Sequence, residues 1–329
     1  MLAQCAETER KGTMPTYGVI DLGSNSIRMV IYDVKDDRRR TYTSKDFKSI
    51  INDKVMAGLA AFVEDGVFTD AGIDRAVSVL KSHMKRARYF DCKRLDVFAT
   101  AVLRNANNCH TAIAAIEART GLAIKLLTAR DEAHLGFVGA TANAPIERGT
   151  LIDIGGGSTE LTRIEGNRDF EDRSIPQGSL SLFTRYVRSI VPAPYELDVM
   201  ACAFRAHLKT LPDLGAYRAE KLYGVGGSVR AAAKAIAQVK GLESRPRIIT
   251  AQDVADVLAF VRENPNAFAH AALKASAERV HTVTPGCVVL DTLFKQLGAD
   301  TLEIRKGGVR EGYLIERILL SQGGDPHEN

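Results

Sequence analysis

Strand-length apolar runs and helical repeats alternate along this chain. Residues 17–21 and 27–32 read as strands on either side of a polar turn, 35–40 as a charged, solvated hairpin tip, and 41–50 as a third strand. Over 70–90 the apolar residues Ile73, Val77, Leu80 and Met84 recur at helical spacing, with Thr69 as the cap. Strand 95–99 follows, then a loop holding Thr100 and Arg104, a helix over 107–120 ended by Gly121, and strand 122–127. Thr128 and Asp131 have the spacing of a capping box that opens the next helix. The second half continues with strand 151–154, strands within 162–176, a helix from Gly178 to about residue 190, a helix over 199–209, strand 222–225 and an alanine-rich helix over 231–240. Thr250 caps a helix over 253–261, Pro285 opens one over 286–297, 302–304 is a last strand, and 307–312 starts the final helix. This order belongs to an α/β layer protein.

The turns between strands carry the candidate chemistry. Asp153 ends strand 151–154, Gly155, Gly156, Gly157, Ser158 and Thr159 follow, and Glu160 begins the next strand. Glycines reach positive φ and let a ligand approach the backbone, so successive N–H groups can form an anion site. Asp153 and Glu160 flank that site and could hold a magnesium ion, which prefers one or two carboxylates plus phosphate oxygens. A glycine-rich β-hairpin would read the same way. The argument for a ligand is a second copy, because Asp21-Leu22-Gly23-Ser24-Asn25-Ser26 repeats the Asp, the Gly and the final Ser of Asp153-Ile154-Gly155-Gly156-Gly157-Ser158. Such a repeat means duplicated domains, whose two turns could face each other across a cleft. Gly226, Gly227 and Ser228 form a third strand-turn-helix junction, suited equally to an anion or to close packing. Capping and the helix dipole explain Asp131, but Glu132, one step further round the helix, is left open to a catalytic role.

Bulk properties narrow the setting. A chain of 329 residues exceeds one typical core, so two domains are expected, over 15–137 and 138–322, with the final helix returning to the first. Hydrophobic residues at 45% and charged ones at 26% describe an ordinary globular protein. A net charge of +4 at pH 7 suits an anionic substrate without the basic stripe of a nucleic-acid partner. Five cysteines, odd in number and without CxxC pairs, fit a reduced, cytoplasmic chain. No apolar run reaches the ~18 residues that span a bilayer, so no membrane partner is expected. Residues 1–14 read as a disordered extension and 323–329 as a disordered tail.

Together with Gly224-Val225-Gly226-Gly227-Ser228-Val229-Arg230 and Gly308-Val309-Arg310-Glu311-Gly312, the two Asp-x-Gly turns resemble those of the exopolyphosphatase and guanosine pentaphosphate phosphohydrolase (Ppx/GppA) family. The resemblance implies a duplicated actin-like ATPase (ribonuclease H-like) fold, two domains with a cleft between them, and a homodimer tied to the stringent response. Glu132, in its Glu-Ala-x-Leu context, matches the family's water-activating glutamate. Asp153 and Glu160, with Asp21 as a further candidate, would hold Mg2+ or Mn2+. Ser24, Asn25 and Ser26 would form one phosphate turn and Gly155 to Thr159 the other, joined by Gly226, Gly227 and Ser228. Arg104 resembles an arginine that contacts the phosphate chain, and Arg279 a second one, although Val280-His281-Thr282 departs from the Arg-Ala-Asp often found there. Nothing here corresponds to the additional helical region of longer members, which points to shorter polyphosphates or weaker processivity.

The expected reaction is hydrolysis of the terminal phosphoanhydride of inorganic polyphosphate. Removal of the 5′-terminal phosphate of guanosine pentaphosphate is the rival within the family. A non-catalytic sensor of guanosine tetraphosphate or polyphosphate, and an ATP-dependent kinase on the same fold, are rivals of other classes. The missing GxxxxGK[ST] motif does not exclude the last.

Overall fold

The computed structural model describes residues 14–322. The expected extension over 1–14, Met14 aside, and the expected tail at 323–329 lie outside the described residues. The first half gives β1 (Thr16–Leu22), β2 (Ser26–Val34), β3 (Phe47–Met56), a small hairpin of β4 (Val63–Glu64) and β5 (Val67–Phe68), α1 (Asp70–Tyr89), β6 (Arg94–Ala99), α2 (Ala101–Arg104), α3 (Cys109–Thr120) and β7 (Ile124–Leu126). Helix α4 (Ala129–Thr141) leads into β8 (Arg148–Ile154), β9 (Thr159–Glu165), β10 (Arg168–Ile175), α5 (Ser179–Tyr186), α6 (Pro194–Lys209), β11 (Lys221–Val225) and α7 (Gly226–Lys240). Then come β12 (Ile248–Thr250), α8 (Ala251–Glu263), α9 (Pro265–Ser276), α10 (Val280–Leu297), β13 (Thr301–Ile304) and α11 (Val309–Tyr313).

Both halves build sheets on one plan, ordered β3-β2-β1-β6-β7 and β10-β9-β8-β11-β13-β12. In each, an antiparallel meander continues into two parallel strands, and the second sheet adds β12 antiparallel at its edge. This is the duplicated, actin-like α/β arrangement. Asp21 and Asp153 are each the penultimate residue of a strand whose neighbour on one side is parallel. Each carboxylate therefore sits at the carboxyl end of its sheet, where open α/β sheets bind ligands.

Several elements differ from the sequence reading for local reasons. Strand β3 starts at Phe47 because Asp46 closes a turn before it, accepting from Thr43 N and Thr43 Oγ1 at 2.8 Å each. Thr100 and Arg104 do not lie in a loop: Thr100 is the N-cap residue of α2, and Arg104 is its last residue. Pro285 lies inside α10, which begins at Val280. Helix α9, with Pro265 at its first position, was not expected at all.

Helix α4 runs unbroken through residues 137 and 138 and packs against α11, so these two helices connect the halves. Their backbones touch. A Cβ at Gly139 would fall on the Gly308 carbonyl, and one at Gly312 on the Leu135 carbonyl. Beyond α11, Leu314, Ile318 and Leu319 pack with Tyr17, Val19 and Tyr32 on the first sheet.

His134 fastens α4 from both ring nitrogens, Nδ1 lying 2.5 Å from Asp169 of β10 and Nε2 2.6 Å from Glu316. The hydrogen bond to Asp169, reinforced by Glu316 against partial burial, lifts its pKa from the ordinary 6.5 to about 9. A raised folded-state pKa stabilises fully below the unfolded value and loses its effect as pH rises through the folded one. The difference in Tm between the wild type and His134→Gln should therefore be widest below about pH 6.5 and close above about pH 9. A pH-independent difference would show that the ring acts through packing alone.

Candidate active site

The duplicated turns close in the same way. Gly23 N donates to Ser26 O at 3.2 Å, and Gly155 N to Ser158 O at 2.9 Å. Each turn is thus a hairpin turn and a cavity wall at once. They also face each other: a Cβ at Gly157 would lie 2.8 Å from Ser24 Oγ, and one at Gly156 would lie 3.3 Å from Ser24 Cβ. Without side chains at these positions, the turns approach closely enough to share one ligand. Around them opens a cavity of about 560 Å³, lined by both turns, by Asp21, Glu132 and Asp153, and by Gly226 and Gly227.

The carboxylates in this cavity differ in state. Glu132 projects from the first turn of α4, where the reciprocal Thr128–Asp131 cap leaves it free of capping duty. Its Oε2 accepts from Arg104 Nη1 at 2.7 Å. Burial lifts the Glu132 pKa to about 7 against the pull of Arg104, and the Asp153 and Asp21 charges push the same way as burial. That is the range in which a carboxylate serves as a general base near neutrality. Burial also raises Asp153, opposed by Arg230 and Arg310. Asp153 accepts no hydrogen bond from the described residues. Gly226, at φ +83°, leaves room for it, because a Cβ there would strike the Asp153 carboxylate. Asp21 is held by Arg310, whose Nη1 donates to its Oδ2 at 2.7 Å.

The remaining expected site residues divide. Asn25, Ser26 and Ser158 line the cavity with Ser24, and Arg279 does too, with its guanidinium laid over Gly227. Four do not line it. Thr159 is fully buried and donates to Gln177 O at 2.8 Å, while Ser228 is buried 3.1 Å from Ser179 Oγ. Arg104 donates Nη1 to Glu132 and to Leu127 O, at 2.7 and 3.1 Å, which fixes it beside the glutamate. Glu160, the direct partner of Asp153 across β8 and β9, is 2% exposed and accepts from Ser174 Oγ at 3.0 Å. Burial, then the Glu132 and Asp153 charges, raises its pKa well above the usual range, which favours the protonated acid. Asp153 and Glu160 are thus neighbours while Asp21 is paired with Arg310, and no group of three His, Cys, Asp or Glu side chains among the described residues is arranged to hold a metal. Of the three carboxylates, Asp21 and Asp153 line the cavity, and Asp153 is the one without a hydrogen-bonded partner among the described residues.

Among the cavity residues that sequence reasoning passed over are Arg230 and Arg310, although both stand inside quoted motifs. Burial lowers Arg230 to about 10. Burial also works against the charge on Arg310, but Asp21 and Glu311 outweigh it and keep the guanidinium firmly protonated. The signal available was position, since each arginine follows a glycine turn at a helix start.

The sequence model of the Ppx/GppA phosphatase family matches residues 37–321. The protein named Exopolyphosphatase 1 of Mycobacterium tuberculosis (strain ATCC 25618 / H37Rv) is 24% identical over 310 residues, 92% of this chain and 88% of that one. Its namesake from Mycobacterium leprae (strain TN) is 23% identical over 309 residues, 92% and 89% of the two chains. The fold is shared with the crystal structure of the Aquifex aeolicus Ppx/GppA family member, at TM-score 0.74 and 21% identity over 94% of this chain and 99% of that one. It is shared too with an exopolyphosphatase from Cytophaga hutchinsonii, at TM-score 0.77 and 20% identity over 94% and 99%.

Proposed function

We propose that this chain, which belongs to the Ppx/GppA phosphatase family, is an exopolyphosphatase that hydrolyses the terminal phosphoanhydride of inorganic polyphosphate. The observation that carries the reading is Glu132, a buried carboxylate with its pKa near 7, in a cleft lined by two glycine- and serine-bearing turns and by several arginines. Phosphoryl transfer needs chiefly positioning and charge neutralisation. The turn amides would bind the terminal phosphate, Arg310, Arg230 and Arg279 would balance its charge, and Arg104 would hold Glu132 toward the water it deprotonates or orients. Magnesium or manganese is the proposed cofactor, held by Asp153 and the substrate's own oxygens, where it would neutralise charge on the transferring phosphoryl group.

One feature favours polyphosphate over guanosine pentaphosphate. Among the described residues Phe98 is the single aromatic lining the cavity, and it is fully buried, so a guanine base finds no exposed ring to stack on. The test is phosphate release from tripolyphosphate, long-chain polyphosphate, guanosine pentaphosphate and ATP, measured side by side with magnesium. Turnover restricted to guanosine pentaphosphate or ATP would reject the proposal, and binding without release would favour a sensor. Asp153→Asn should shift the magnesium titration of the activity to higher concentrations. An unchanged titration would remove Asp153 from metal binding.

A further inference from the structure

Several cations in and around the cavity are committed to partners, while Arg230 and Arg279 form no ion pair or side-chain hydrogen bond among the described residues but are largely buried. Arg310 is paired with Asp21 and Arg104 with Glu132, each at 2.7 Å. Lys54 is paired with Glu278 at 2.9 Å, and Arg28 Nε donates to Asn52 Oδ1 at 2.6 Å. Arg305, nearly buried, donates Nε to Ala140 O at 3.2 Å and Nη1 to Glu303 at 3.0 Å. Against this background Arg245, Arg247 and Lys306 stand out: they line the same cavity, are exposed, and form no ion pair or side-chain hydrogen bond among the described residues.

Their backbone is held in place. Arg245 and Arg247 flank Pro246, whose ring fixes φ, just before β12. Ile304 N donates to Arg247 O at 2.8 Å, which sets Arg247 beside the end of β13, two residues from Lys306. Three like charges gathered on one wall without a counter-charge repel one another, and an anion spanning them removes that cost. The charges that act most on Glu132 and Asp153 are those of Arg104, Arg230, Arg310 and Arg279 and of the two aspartates, and not those of Arg245, Arg247 or Lys306.

We propose that Arg245, Arg247 and Lys306 form a distal phosphate subsite that binds the chain beyond the scissile bond and makes turnover depend on polyphosphate length. The assignment rests on the polyphosphate reading above. Exposed cations contribute mainly to encounter and affinity, so their effect belongs in KM and in salt dependence and not in kcat.

The test is the triple variant Arg245→Ala, Arg247→Ala, Lys306→Ala against the wild type, with tripolyphosphate and long-chain polyphosphate as substrates. On the long chain, kcat/KM should fall at least about tenfold, through KM, with a shallower salt dependence. Tripolyphosphate turnover should stay unchanged, which also reports that the variant is folded. Equal losses on both substrates, or no loss on the long chain, would overturn the subsite while leaving the activity intact. If the wild type hydrolyses neither, the functional reading fails separately, and fluorescence anisotropy with labelled long-chain polyphosphate then decides the subsite. Weaker binding by the triple variant supports it, and equal binding overturns it.

Discussion

Glu132→Gln is expected to leave polyphosphate bound while lowering phosphate release by about 10² to 10⁴, the range for a lost general base. The amide keeps the shape of the carboxylate, and its oxygen can still accept from Arg104, which now sits 2.7 Å from Glu132 Oε2. The phosphate turns and the other cavity arginines are untouched, so binding by equilibrium dialysis should change little. What the amide lacks is any capacity to take a proton. The same argument fixes a pH dependence. Burial sets the Glu132 carboxyl near 7, so the base is lost by protonation as pH falls below about 7, and kcat/KM of the wild type should decline on that limb. The residual activity of Glu132→Gln should show no such limb. Near-normal turnover, or an acid limb that survives the substitution, would remove Glu132 from the reaction.

How much of this was legible in the sequence depends on how local the cause is. The two Asp-x-Gly turns were readable because glycine, serine and a strand-end carboxylate carry their chemistry within a few residues. Glu132 stood out because the Thr128–Asp131 cap accounts for one acid and not the next. The residues that do not line the cavity were harder to place. Thr159 and Glu160 begin β9, where the first four residues are all buried, so both faces of the strand are covered and alternation no longer tells inward from outward. Arg104 was read as a phosphate contact from the resemblance alone, since its helix, α2, has only four residues and no periodicity to orient it. Pro285 misled for a similar reason: proline usually marks a helix start, but α10 begins at Val280, after the short turn at Ala277–Arg279. The Arg310–Asp21 pair joins residues at opposite ends of the chain, and nothing local announces it.

Gly139→Ala is expected to destabilise the fold by about 1 to 3 kcal/mol, the usual cost of forcing atoms into a closed site. The sign is not obvious beforehand. On an isolated helix the exchange would stabilise α4 by about 1 kcal/mol, because alanine is the better helix former. At this position, however, the new Cβ would fall on the Gly308 carbonyl, with Gly308 C and N only 2.7 and 2.8 Å away. Those are backbone atoms, so no rotamer change relieves the contact, and sliding α11 aside would break the matching approach of Gly312 to the Leu135 carbonyl. Steric cost therefore exceeds the propensity gain. The control lies one turn earlier on the same helix, where a Cβ at Gly136 would meet only Val309 Cγ2 at an ordinary 3.8 Å. Gly136→Ala should be neutral or stabilising by up to about 1 kcal/mol in urea denaturation, while Gly139→Ala moves the midpoint the other way. Because α4 carries Glu132 and α11 carries Arg310, the same separation of helices should also lower phosphate release in Gly139→Ala and not in Gly136→Ala. Two variants that shift together in either measurement would refute a crossing held by backbone contact.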